Sequence, residues 1–179
     1  LMLGWTYSAQ KDHDNAIVSF ERALTLAEEL GNKRSIGDLK NMLGGAYGIK
    51  GDNVKALEYY EAAISIYDEL GDKNRVAYAL KDIGWFHLGN ENVDKSLEYL
   101  KRALLILEDV GNNHDIETTL MGIGEAFFTL GDYDKAIDHY DKAKISSEER
   151  GNKSFVMWSM GKIGQVYYTM GDNEKALEL

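Results

Sequence analysis

The chain has 179 residues, a net charge of −10 at neutral pH, no cysteine and no proline. The missing cysteines exclude disulfides, thiolate metal sites and cysteine nucleophiles, and the acidic balance argues against nucleic acid, whose readers are usually basic. No apolar run approaches the ~20 residues of a membrane span and the first residues, Leu1 to Trp5, lack a basic flank, so a cytoplasmic location without a membrane partner is expected.

Taken along the chain, the same features return every 40 residues. Leu3-Gly4, Leu43-Gly44, Ile83-Gly84, Ile123-Gly124 and Ile163-Gly164 fall in register. So do Gly31, Gly71, Gly111 and Gly151, each followed by Asn or Asp, and the alanines at 23, 63, 103 and 143. Each repeat reads as two helices. In residues 73–112, Val76, Ala79, Leu80, Ile83 and His87 recur at spacings of three and four, and Leu97, Leu100, Ala103, Leu104 and Leu107 form a second such stripe. Glycine just past a stripe suits a left-handed C-terminal cap, and Asp52 and Asp132 suit N-caps. This predicts turns near 10–13, 31–33, 50–53, 71–73, 90–93, 111–113, 130–133, 151–153 and 171–173, with the repeats at 1–32 (partial), 33–72, 73–112, 113–152 and 153–179 (partial). One helix pair cannot bury its apolar face alone, so neighbours must stack. The mid-helix glycines, each costing about 1 kcal/mol against alanine, imply a close approach of the partner helix.

The run Leu43-Gly44-x-x-Tyr47, Gly51, Ala56, Tyr60, Ala63 and its echo Ile123-Gly124-x-x-Phe127, Gly131, Ala136, Tyr140, Ala143 resemble the tetratricopeptide repeat. Departures are His87 at the tyrosine position, Glu91 and Lys11 at the turn glycine, Ser96 at the first alanine, and no terminal proline. The long period resembles the subclass of kinesin light chains, Rap-type regulators and Pins-type proteins. The resemblance implies an all-α, right-handed superhelical solenoid of antiparallel helix pairs, one array over 1–179. Neither end carries a polar capping helix in this phase, which predicts a piece of a longer array or end-to-end self-association.

Residues for chemistry are sparse. His13, His87, His114 and His139 make no metal-binding helical pair; Gly44-Gly45-Ala46-Tyr47-Gly48 lies mid-helix and is no phosphate loop; Asp132, Asp134, Asp138 and Asp141 lack the glycine and closing glutamate of a calcium loop. The chain is not expected to be an enzyme or to hold a cofactor or metal. The repeats carry −3, −2, 0, −5 and 0, and the acidic fourth reads as a solvated face.

The first helix of each repeat carries one stripe of nearly constant type, the core, and a second that varies: Asp38, Asn41, Gly45 and Gly48, then Tyr78, Lys81, Trp85 and Leu88, then Thr118, Met121, Glu125 and Phe128, then Trp158, Gly161, Gln165 and Tyr168, with Trp5 before them. Under the resemblance these positions line a concave groove. Trp5, Tyr78, Lys81, Trp85, Leu88, Met121, Phe128, Trp158, Gln165 and Tyr168 are the candidate partner-binding residues, with Glu125 setting selectivity and Gly45 giving clearance. The expected function is a scaffold whose groove binds a peptide or helical segment of another protein. The alternative is a regulatory or sensor input module of a larger signalling protein, such as a kinase, cyclase or transcription regulator.

Overall fold

Helices start and stop where the turn chemistry dictates. The computed structural model describes residues 13–178, and among these the order is α1 (His13–Glu29), α2 (Lys33–Lys50), α3 (Asn53–Glu69), α4 (Lys73–Gly89), α5 (Val93–Val110), α6 (Asn113–Thr129), α7 (Tyr133–Glu149), α8 (Lys153–Met170) and the short α9 (Asn173–Leu177). The turns fall where the sequence predicts them from residue 31 onward; the turn expected at 10–13 lies outside the described residues. Every turn ends one helix on a left-handed residue and starts the next on Asn or Asp. Gly31, Gly51, Gly71, Gly111, Gly131, Gly151 and Gly171 supply that positive φ, and Glu91, at +61°, replaces glycine in the turn between α4 and α5. The caps accept from the third residue on: Asn32 from Ser35 N, Asp52 from Lys55 N, Asn112 from Asp115 N and Asp132 from Lys135 N. Asn92 makes no such bond.

The helices group into two bodies that divide within α4, Leu1–Phe86 and His87–Leu179. In the first, α1, α2 and α3 pack as successive neighbours around Phe20, Leu39, Leu43, Tyr60 and Tyr67, all nearly inaccessible. In the second, α5 to α9 do the same around Leu100, Leu107, Leu120, Ile123, Tyr140 and Ile163. Each such side chain contributes about 1.5–3 kcal/mol by burial. Ala63, Ala103 and Ala143 are fully buried, as helix contact requires, whereas Ala23 is half-buried.

A ring stack repeats on one side of the helix pairs. Tyr47 lies on Tyr59, His87 on Tyr99 and Phe127 on His139, with centroids 5.4–5.5 Å apart. Lys55 and Lys135 place their ammonium groups 4.8 and 5.2 Å from the rings of Tyr47 and Phe127, within cation–π range. His87 is thus a packed ring, 4% exposed, which accounts for its departure from the repeat pattern.

Candidate functional site

A glycine decides the shape of the first body's surface. A Cβ on Gly37 would stand 2.7 Å from Tyr67 Cε1, so only glycine lets that ring lie against α2. Tyr67 then reaches one residue further and donates from its hydroxyl to Asp38 Oδ1 at 2.9 Å. Arg75, from α4, donates to the same oxygen, and its Nε stands 3.5 Å from Asp72. Burial first, then the Asp38 carboxylate, raises the Tyr67 pKa, so the phenol stays a donor. One turn along, Asn41 Nδ2 donates to Asp82 Oδ2 at 2.7 Å. Asn41 is 7% exposed and its Oδ1 is buried without a partner.

These pairs flank an open cleft of about 360 Å³ between α2 and α4. Asp38, Asn41, Met42, Gly45, Ala46 and Ile49 line it from α2, Arg75, Tyr78 and Asp82 from α4, and Phe20 and Tyr67 from α1 and α3. Gly45 keeps it open, since even an added Cβ would meet only Tyr60 Oη, at 3.4 Å. Tyr78 is 42% exposed, with the ammonium of Lys81 4.5 Å from its ring centroid.

Two periods on, in the second body, the same positions hold different groups. Met121 stands for Asn41, Glu125 for Gly45, Trp158 for Tyr78 and Lys162 for Asp82. Glu125 Oε1 lies 2.5 Å from Lys162 Nζ, both side chains being three-quarters or more buried. The ion pair thus sits where the first body has open space. At Gly37 and Tyr67 the bulk changes helix: their counterparts are Glu117 and Ser147. Glu117 is fully buried, paired to Arg150 at 3.1 Å and accepting from Ser146 Oγ at 3.3 Å.

Models of the tetratricopeptide repeat match residues 35–109, 86–144 and 115–179, and another matches 1–30. The chain belongs to the tetratricopeptide repeat family. No curated protein matches it. Solved structures similar to it include a Rap protein complexed with competence and sporulation factor (20% identity, TM-score 0.82, 98% of this chain and 49% of that one). A kinesin light chain with nearly identical repeats from Podospora anserina shares 14% identity (TM-score 0.78, 99% and 87%). The signal transduction ATPase with a tetratricopeptide repeat sensor from Pyrococcus horikoshii shares 21% (TM-score 0.83, 99% and 27%). The chain therefore spans about half the Rap protein and about a quarter of the ATPase.

A tetratricopeptide repeat chain is a protein–protein interaction module, and its fold is generally non-catalytic. Among the described residues, no helix is long and apolar enough to cross a membrane.

The tetratricopeptide geometry sorts the candidate groove residues. Gly45 and Tyr78 line the cleft; Trp85, half-buried, does not. Lys81 is 7% exposed and Met121 fully buried. Neither offers a partner the surface expected of it: Lys81 is covered and held over Tyr78, and Met121 packs inside with Ser159 Oγ donating to its sulfur at 3.6 Å. Leu88 and Phe128 are half-buried, Phe128 tilted on Tyr133. Trp158 and Tyr168 are 43% and 71% exposed, Gln165 is exposed, and Trp158 stands edge-on to Phe155. Trp5 lies outside the described residues. Sequence reading missed Arg75, Asp82 and Tyr67. Their signal was the spacing of complementary side chains at one repeat plus or minus a few residues: Asp38 with Arg75 at 37, Asn41 with Asp82 at 41.

Proposed function

We propose that this chain binds a segment of another protein in the cleft between α2 and α4, the segment lying against Tyr78, Met42 and Ile49. The observation that carries this reading is the contrast at one repeat position: Gly45 leaves open what Glu125, ion-paired to Lys162, fills. A partly exposed tyrosine beside a concave, mostly apolar floor is the composition of an interface anchor site. The likeness to a Rap protein solved with competence and sporulation factor supports a peptide-sized occupant.

A second reading, a sensor input module of a larger signalling protein, is favoured by the likeness to the ATPase whose tetratricopeptide repeat is a sensor. Both readings use the same cleft and differ in what is attached to the chain. The test is a displayed library of random peptides selected on this chain and counter-screened on Gly45→Glu. Selected peptides should lose binding to the variant at least tenfold. A set that binds parent and variant equally would remove the cleft from the function.

A further inference from the structure

The cleft between α2 and α4 is acid-lined where its counterpart is not, and we infer that it takes a basic side chain, arginine or lysine, from the docked segment. This rests on the docking reading above and adds the residue that the segment must carry.

Asp38 offers Oδ1 to both Tyr67 and Arg75, and its Oδ2 enters neither bond. Asp82, facing it from α4, accepts from Asn41. Two carboxylates and one guanidinium thus line the cleft, and that guanidinium is shared with a third carboxylate, Asp72. The excess is negative, and the chain's charge of −10 adds to the attraction of a cation. Asn41 supplies a second, independent observation. It is more than nine-tenths buried, lines the cleft, and its Oδ1 is an acceptor without a donor. A donor reaching that oxygen gains a bond without displacing one, whereas an acidic or apolar residue leaves it unmet. The walls suit the rest of such a side chain, because the methylenes of arginine and lysine cover apolar surface while the charged head stays with its acceptors. Tyr78, Met42 and Ile49 supply that surface.

The second body shows how specific the arrangement is. Lys162 replaces Asp82 there and is already matched by Glu125, so the position holds no excess negative charge.

The test titrates three capped pentapeptides, Ala-Ala-X-Ala-Ala with X arginine, citrulline or glutamate, into the isotopically labelled chain and follows amide shifts. Citrulline keeps the shape of arginine and removes its charge. The expected result is that the arginine peptide shifts Asp38, Asn41, Tyr78 and Asp82 at least fivefold more than either companion at equal concentration. Raising the salt should shrink that difference. Asp38→Asn, which keeps an acceptor for Tyr67, should shrink it too. If citrulline or glutamate shifts the same residues as strongly, the basic preference is overturned while cleft docking stands. If no peptide moves the cleft residues, the inference is overturned, and the library screen on Gly45→Glu judges the docking reading by itself.

Discussion

Gly124 lies flat against the ring of Tyr140, and no Cβ fits between them. Tyr140 is 1% exposed, so its ring cannot swing aside. Gly124→Ala should therefore destabilise the chain by about 1–3 kcal/mol, outweighing the ~1 kcal/mol that alanine returns in helix propensity. Gly164, one period on, is the control, since a Cβ there meets only a carbonyl oxygen of Ala176 at 3.7 Å. Gly164→Ala should be neutral or stabilising by up to about 1 kcal/mol. Urea denaturation of the two variants, read side by side, checks both signs.

The Glu117–Arg150 pair predicts an asymmetry. Glu117 is fully buried and Arg150 about one-third exposed. Arg150→Ala strands the carboxylate in the interior and should cost about 3 kcal/mol. Glu117→Met removes the charge with its desolvation penalty and keeps the volume, so it should stay within about 1 kcal/mol of the parent or exceed it. Equal losses from the two changes would show that the pair is not limited by desolvation.

Protons should act through His139. Burial, then Lys142, holds its imidazole below the ordinary value of 6.5, with Asp138 opposing and Lys101 adding slightly. The folded state then binds fewer protons than the unfolded one, so stability rises with pH. Its contribution is complete above about 6.5 and is lost as pH falls through the folded value. His139→Tyr places at this position the ring found at Tyr59 and Tyr99 and should flatten the slope between pH 5 and pH 7 in thermal melts; an unchanged slope would assign it elsewhere.

Tyr78 should separate binding from folding. Being 42% exposed, it leaves little cavity on truncation, whereas an anchor is worth about 2 kcal/mol or more to a complex. Tyr78→Ala should weaken a peptide selected on the parent at least roughly tenfold, about 1.4 kcal/mol, with little change in melting temperature. A large stability loss with binding intact would make Tyr78 a packing residue.

The 40-residue period carried the fold, because each repeat states its own stripe, stop and cap. The turns, the buried alanines and the ring stack all follow from that register. The site was legible only in part. Asp38, Asn41 and Gly45 stood out as a varying stripe, but stripe position does not say what covers it. Met121 and Asn41 share a register; one sits fully buried beside Ser159, the other flanks an open cleft. Whether such a position is free is decided by the size and charge of residues in the next repeat, here Glu125 and Lys162 against Gly45 and Asp82, and that pairing is visible only in three dimensions.

The turn between α4 and α5 differs from the other seven described in two respects at once. Its left-handed residue is Glu91 rather than glycine, and its N-cap, Asn92, makes no side-chain bond. A non-glycine residue in that conformation costs roughly 1 kcal/mol, and a missing cap about as much again. Local opening is thus about 2 kcal/mol easier there than at its siblings, so in native-state exchange the first-turn amides of α5 should take up deuterium ahead of those that follow Asp52 or Asp132. A protease with a choice of eight turns would cut this one first.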